Sequence, residues 1–305
     1  MIIRELHRFQ AELATLDRLM NQLPAANVIE RMSLEARKNE VSVALSAYQQ
    51  TSYYEPVHVR LTFRGKPIVK SHGIFTEFAA DVLDKFEDMV AAIGASQNFQ
   101  LGARGAIPNR EDYRLIMTGT TPGSFGFELE EAPRDRETLF PELSPVAAAI
   151  EQAKSIMESS VGSDDDLTDA IVDANPRAIE AMRTFLGTMV DHGAICALDL
   201  EDGFFQFSDV GQVRRAKERL SQENIHEEDK EILGMFQGVL PTRRTFEFLI
   251  KEPENVILGK VGPEIEDPSE INHIIERPMK IRVHTKQVGM GRPRYVLFAH
   301  EEITE

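Results

Sequence analysis

Apolar residues near the N-terminus recur at alternating spacings of four and three residues, from Ile2 to Leu23. Glu, Arg, Gln and Asp occupy most of the positions between them. This is the a/d pattern of a helix that packs along a narrow seam. It predicts a helix with these seam residues: Ile2, Leu6, Phe9, Leu13, Leu16, Met20 and Leu23.

A second helix is predicted after Pro24, because proline suits the first turn of a helix. Its apolar positions repeat with the same period at Leu34, Val41, Leu45 and Tyr48. Residues 1–50 are therefore predicted to form an antiparallel helical hairpin. The first seam has two candidate partners, the second helix of the same hairpin or the same helix of another subunit. The second alternative assigns self-association to Leu6, Phe9, Leu13, Leu16 and Met20.

The middle region, 55–224, is predicted to be an α+β domain. Apolar and polar residues alternate over 57–63, which is the period of a half-buried strand. A helix over 76–93 follows, and Gly94 is predicted to be its C-terminal cap. The remaining pattern predicts antiparallel hairpins and further helices: strands at 113–119, 125–131, 194–200 and 204–208, and helices near 145–159, 166–174, 176–190 and 210–222.

The C-terminal region, 230–305, shows five strand-like segments with one short helix, 268–276, between the third and the fourth. This order is typical of a small OB-like β-barrel, and an SH3-like barrel is the alternative. The polar residues 226–230 are predicted to be a solvated stretch between domains. The predicted strands cover 231–240, 244–251, 255–261, 279–286 and 294–302.

Charge is distributed unevenly in this chain of 305 residues, whose formal net charge is −16. Residues 128–173 hold 13 acidic against three basic residues, a net charge of −10. Residues 231–305 hold 12 acidic and 10 basic residues and are close to neutral. An acidic surface repels nucleic acid, so only the C-terminal region is a candidate for binding it.

Several chemistries lack their sequence signatures. Gly119, Gly123 and Gly126 are followed by a strand instead of the helix that a phosphate loop requires, so they are predicted to be hairpin and bulge residues. Asp164, Asp165 and Asp166 lack the spacing of a calcium loop and are predicted at a helix N-terminus. No catalytic residue, metal ligand set or cofactor is predicted, although a site assembled only by the fold stays open.

The single cysteine, Cys196, excludes an internal disulfide, and its apolar surroundings predict a buried, unreactive thiol. No apolar run approaches the roughly 18 residues of a membrane span. The N-terminus meets charge within four residues and has no apolar signal segment. The predicted location is the cytoplasm, without membrane contact.

Basic residues in the connections of the predicted barrel are the candidate nucleic-acid site. The first connection carries Arg243 and Arg244, and the last carries or adjoins Lys286, Arg292 and Arg294. These two connections flank the binding face of OB folds. Nearby aromatic side chains are candidates for stacking on bases, or alternatively for the core: Phe246, Phe248, Tyr295 and Phe298.

The segment Gly123-Ser124-Phe125-Gly126-Phe127-Glu128-Leu129 and the stretch 232–303 resemble a family of uncharacterised bacterial proteins, some from accessory or phage-defence gene clusters. This resemblance implies a subunit or adaptor of a multi-protein bacterial assembly and brings no catalytic residues. The sequence therefore predicts a non-catalytic interaction protein that binds another subunit or itself. The alternatives are a nucleic-acid-binding accessory protein and an enzyme, such as a nuclease or nucleotide hydrolase.

Overall fold

The protein is described here from a computed structural model that covers most of the chain. The described residues are 12, 13, 15, 16, 18–20, 27–51, 56–70, 72–99, 101–121, 125–133, 144–201, 203–251 and 254–303. They form a mixed α+β structure, as predicted, with a five-stranded sheet at the C-terminal end.

The described residues of the N-terminal region are helical, except for Asn27. Residues between 12 and 20 are helical, and helix α1 spans Val28–Thr51. The guanidinium of Arg37 donates to Glu12 Oε1 from both Nε and Nη2, at 2.9 and 2.8 Å, so the two helical segments lie side by side. Their apolar positions Leu16 and Val41 are buried.

The predicted self-association residues are partly covered within one chain. Leu16 is buried, and Leu13 and Met20 are half-buried. Leu6 and Phe9 lie outside the described residues. The burial of Leu16 fits the alternative in which the seam packs within one hairpin, and self-association through this seam stays a prediction.

The described strands of the middle region are β1 His58–Gly65, β2 Ile68–Val69, β3 Gly73–Ile74, β4 Leu115–Thr121, β5 Phe125–Glu131, β6 Ala194–Leu200 and β7 Gly203–Gln206. Five of them form an antiparallel sheet with the order β4-β5-β1-β6-β7. A separate two-stranded ladder joins β2 to β3.

Five helices contribute to the core of this region: α2 Thr76–Asn98, α3 Pro145–Val161, α4 Asp164–Ile171, α5 Pro176–His192 and α6 Val210–Arg219. Ser144 and Asn175 cap α3 and α5 by accepting hydrogen bonds from Ala147 N and Arg177 N, and a proline follows each cap. The apolar core includes Phe63, Phe78, Phe86, Phe185 and Phe207.

The prediction that Gly94 ends a helix was wrong. Helix α2 continues to Asn98, and Gly94 lies inside it against the ring of Tyr113. A Cβ at position 94 would lie 2.2 Å from Tyr113 Cε1, so the glycine provides room for the ring. The close approach of a ring, and not a left-handed backbone, explains this glycine.

The C-terminal sheet comprises five strands, which begin at Ile225 (β8), Thr245 (β9), Glu254 (β10), Met279 (β11) and Arg294 (β12). Each strand is hydrogen-bonded to two others in the order β10-β12-β11-β8-β9, with β9 bonded back to β10, so the ladder closes on itself. Inside it lies a second apolar core that contains Phe236, Phe246 and Phe248. The strands are β8 Ile225–Leu240, β9 Thr245–Lys251, β10 Glu254–Val261, β11 Met279–Val288 and β12 Arg294–Glu302.

The predicted short helix is present as a 3-10 helix, Pro268–Ile274. One prediction about this sheet needs correction. Residues 226–230 are not a linker, since they form the first part of β8 and pair with β11. Their charged side chains are compatible with a strand because Glu227 and Asp229 lie opposite Lys286 and His284.

No helix among the described residues is long and apolar enough to cross a membrane.

Candidate functional site

Helix α4, at the C-terminal end of the acidic residues 128–173, packs against the connection between β11 and β12. Asp164 accepts hydrogen bonds from Arg219 Nη2 at 2.7 Å and from the backbone N of Met290 at 3.2 Å. Asp165 accepts one from the backbone N of Arg292. Gly289 has a φ of +50°, and a Cβ there would lie 2.7 Å from Asp164 Oδ2. The acidic residues predicted at this helix N-terminus therefore hold the connection in place.

Lys286 lies at the other end of α4. Its side chain is 4% exposed, and Nζ lies 3.0 Å from Glu227 Oε1. The same ammonium donates to the backbone carbonyls of Ile171 and Ala174, at 3.1 and 2.9 Å. A cation is favourable at the C-terminal end of a helix, where carbonyls lack partners. Lys286 thus joins the sheet to α4 and is not available to a ligand.

Arg294 forms the third connection between α4 and the sheet. Its guanidinium donates to both carboxylate oxygens of Asp169, with Nη2 2.8 Å from Oδ2. The hydrogen bond from Arg294 holds the pKa of Asp169 below its ordinary value, and the same bond raises the pKa of Arg294. The hydrogen bond from Arg219 likewise lowers the pKa of Asp164.

Arg244 is also engaged in hydrogen bonds within the chain. Its backbone is left-handed, with a φ of 50°, at the start of β9. The guanidinium donates to the carbonyls of Val261, Gly262 and Ile265, at 3.1, 2.5 and 2.6 Å. These bonds fasten the loop that follows β10.

The residues predicted to bind nucleic acid therefore fall into two groups, those engaged within the chain and those that are exposed. Lys286, Arg294 and Arg244 have partners within the chain. Arg243 is exposed and makes no hydrogen bond or ion pair with the part of the chain that the structure describes. Arg292 is 86% exposed and lies 3.9 Å from Asp165. A nucleic-acid site stays a prediction that rests on Arg243 and Arg292.

The aromatic residues predicted to stack on bases lie mostly in or against the core of the C-terminal sheet. Phe246 and Phe248 are buried in the core of the C-terminal sheet, with ring centroids 6.1 and 5.0 Å from that of Phe236. Tyr295 is half-buried against the same core. The ring of Phe298 lies 5.8 Å from the guanidinium carbon of Arg282.

An open cleft of about 520 Å³ lies between the C-terminal end of α4 and the sheet. His284 Nδ1 lies 2.8 Å from Asp229 Oδ1 on its wall. Its lining carries four carboxylates against one lysine and one histidine, so it disfavours an anionic ligand. Among the described residues no group of His, Cys, Asp or Glu has the geometry of a metal site. The charged lining residues are Asp173, Glu227, Asp229, Glu264, His284 and Lys286.

The outer surface of β8, β9 and β10 carries a group of aliphatic side chains, here called the aliphatic face: Leu233, Met235, Leu249, Val256 and Leu258. Met235 pairs with Leu249, and Leu249 pairs with Val256, so these three form one row across the strands. Leu233, Val256 and Leu258 are 56%, 50% and 65% exposed.

Two charged residues of β9 flank this row. Glu247 and Lys251 lie two residues before and two after Leu249, and alternation along a strand places all three on the same side. Both charged side chains are exposed, and neither forms an ion pair with another described residue.

Sequence reasoning missed the aliphatic face, although a signal was present. The segment Val256-Ile257-Leu258 is apolar at three successive positions, so it presents apolar side chains on both faces of the strand. Only Ile257 points into the core.

A comparison with protein-family models, curated proteins and solved structures finds no match to this chain.

Proposed function

We propose that this chain is a non-catalytic interaction protein that binds another protein through the aliphatic face of its C-terminal sheet. The observation that carries the proposal is the exposure of adjacent large aliphatic side chains on one side of three paired strands. Clustered apolar surface of this kind marks protein contact sites, whereas scattered apolar residues do not.

The C-terminal sheet is proposed to be OB-like. Its strand order supports this reading, with the first strand bonded to the second and fourth and the third parallel to the fifth. The 3-10 helix Pro268–Ile274 stands between the third and fourth strands. OB folds bind ligands on the face of their second and third strands, which here carries Leu249, Val256 and Leu258.

The chemistry of this face favours protein over nucleic acid. Binding of single strands needs stacking aromatics and cations that track phosphates. The described part of the aliphatic face contains no aromatic residue, and Glu247 offsets Lys251. Three of the five basic residues predicted to bind nucleic acid are engaged in internal contacts. Membership of a bacterial defence assembly stays part of the proposal and follows only from the resemblance.

The test is co-purification of the tagged full chain from its native host, with Leu258→Glu beside the wild type. Met290→Glu is the matched control, because Met290 is 94% exposed and lies outside the aliphatic face. A stoichiometric partner should be retained by the wild type and the control and lost from Leu258→Glu. Recovery of the same co-purifying proteins with the wild type, Met290→Glu and Leu258→Glu would contradict the proposal.

A second candidate function, an enzyme, is favoured by the cleft beside α4. A carboxylate that holds one nitrogen of a histidine leaves the other for proton transfer, and His284 with Asp229 has this arrangement. The acidic lining argues against nucleotides or nucleic acid as substrates. The test is turnover of nitrophenyl esters, nitrophenyl phosphates and nucleoside triphosphates. If the protein is an enzyme, the wild type should turn over at least one of these substrates, and His284→Gln should lower the rate about 100-fold or more. Absence of turnover with all of these substrates would argue against an enzyme.

A further inference from the structure

We infer that the partner at the aliphatic face is a second copy of this chain, related by a two-fold axis along the row Met235, Leu249 and Val256. The inference rests on the proposed function and names its partner. Its starting point is the spacing of charge on β9, where Glu247 and Lys251 stand equally far from Leu249 and have opposite signs.

A two-fold axis along this row makes the charge pattern of β9 complementary to itself. Each row residue meets its own counterpart, and β9 runs antiparallel to β9 of the second copy. Glu247 then faces Lys251 of the second copy, and Lys251 faces its Glu247. One patch thereby supplies two ion pairs around an aliphatic centre, which is the arrangement of an isologous interface. A foreign partner would require no such symmetry of spacing.

The electrostatics of the chain permit this pairing. The formal net charge is −16, but residues 225–305, which contain the sheet, contribute only −4 of it, from 15 acidic and 11 basic residues. The remaining acidic charge belongs to the chain before residue 225. Charges farther apart than about 8 Å are largely screened at physiological salt. Repulsion between the acidic regions therefore weakens the association but does not dominate at the contact.

The expected association is weak and reversible. Five aliphatic side chains and two flanking charges per copy cover less than the roughly 800 Å² per partner of a standard interface. We therefore expect a dissociation constant of about 10 to 100 μM, equivalent to about −7 to −5.5 kcal/mol.

Sedimentation equilibrium of the purified full chain tests the inference through a charge exchange. Glu247→Lys and Lys251→Glu each place like charges opposite one another and should weaken dimerisation about 10-fold. The double variant Glu247→Lys/Lys251→Glu exchanges the signs and should recover dimerisation to within about 3-fold of wild type, because opposite charges face each other again. Both side chains are exposed, so all variants should fold.

Three outcomes would overturn the inference. One is a wild-type chain that stays monomeric up to about 300 μM, well above the expected dissociation constant. Another is a double variant weaker than either single variant. The last is a dimer that Leu258→Glu leaves intact and that Leu13→Glu/Met20→Glu abolishes, which would assign assembly to the N-terminal helices. A different result is a wild type that is monomeric in sedimentation while a host protein co-purifies with it and not with Leu258→Glu. That result would overturn the inference that the partner is a second copy, and it would still support the proposed function.

Discussion

The ammonium of Lys286 and the carboxylate of Glu227 lie 3.0 Å apart on neighbouring strands, with the lysine side chain almost completely buried beneath helix α4. The same ammonium donates to the carbonyls of Ile171 and Ala174, so one side chain joins the C-terminal sheet to the middle region. Lys286, which the sequence predicted at a nucleic-acid surface, is therefore engaged in contacts within the chain.

Lys286→Ala should lower the free energy of unfolding by about 2 to 4 kcal/mol, because it removes the ion-pair partner of Glu227 and the donor to two carbonyls. Arg292→Ala, in the exposed connection that follows the strand of Lys286, should change it by less than about 0.5 kcal/mol. Urea denaturation followed by circular dichroism measures both. Equal effects of the two substitutions would show that Lys286 does not join the two regions.

Asp164 and Asp169 should make the stability depend on pH. Their folded pKa values are lowered from 3.8 by hydrogen bonds from Arg219 and Arg294, so their contribution is present above about pH 4 and is lost as the pH falls through the lowered values. Both carboxylates are partly exposed, which reduces the combined effect to about 1 to 2 kcal/mol. Asp164→Asn/Asp169→Asn should be less stable than wild type by this amount at pH 7.

Because protonated Asp resembles Asn, this difference should disappear near pH 2, as urea denaturation at several pH values can show. Glu266→Gln, at an exposed position with no ion pair to a described residue, is the control and should match wild type at every pH. A difference that persists at low pH would assign the effect to packing instead of charge.

Gly94→Ala should lower the free energy of unfolding by about 1 to 3 kcal/mol, since its Cβ would overlap the ring of Tyr113. Gly238→Ala is a matched control, because a Cβ there meets no atom within 4 Å. Thermal unfolding compares the two variants. If Gly94→Ala stabilises the protein through its higher helix propensity, the packing account of α2 against Tyr113 is incorrect.

The wild-type chain should show no salt-dependent retention of single- or double-stranded oligonucleotides at about 50 mM salt, where phosphate contacts are strongest. The reason is that Arg244, Lys286 and Arg294 are engaged within the chain. Fluorescence anisotropy measures the binding. Retention that Arg243→Glu/Arg292→Glu abolishes would instead support the nucleic-acid alternative.

The sequence predicted the secondary structure better than the contacts between its regions. Local signals, such as Ser144 and Asn175 before prolines, identified helix starts that the structure confirms. The contacts of Arg294 with Asp169 and of Lys286 with Ile171 join residues more than 100 positions apart, and no local pattern specifies them. The prediction for residues 226–230 was wrong because a run of charged residues looks like a solvated linker in the sequence. The oppositely charged partners of these residues lie on a distant strand and are not visible locally.

The most direct test of the central claim is cross-linking through a cysteine on the proposed two-fold axis. The only native cysteine, Cys196, is buried, and burial raises its pKa to about 12, so it should not react. Val256→Cys introduces an exposed thiol in the row. A short bismaleimide is the appropriate reagent, because sheets that pack face to face lie about 10 Å apart, beyond the reach of a disulfide.

Denaturing gel electrophoresis after brief treatment at about 50 μM protein, near the expected dissociation constant, should show a covalent dimer of Val256→Cys. Leu258→Glu in the same chain should suppress it. Met290→Cys, which is more exposed than Val256→Cys but lies away from the aliphatic face, should remain monomeric. Equal cross-linking of Val256→Cys and Met290→Cys, or no dimer from Val256→Cys, would contradict association of two copies through this face.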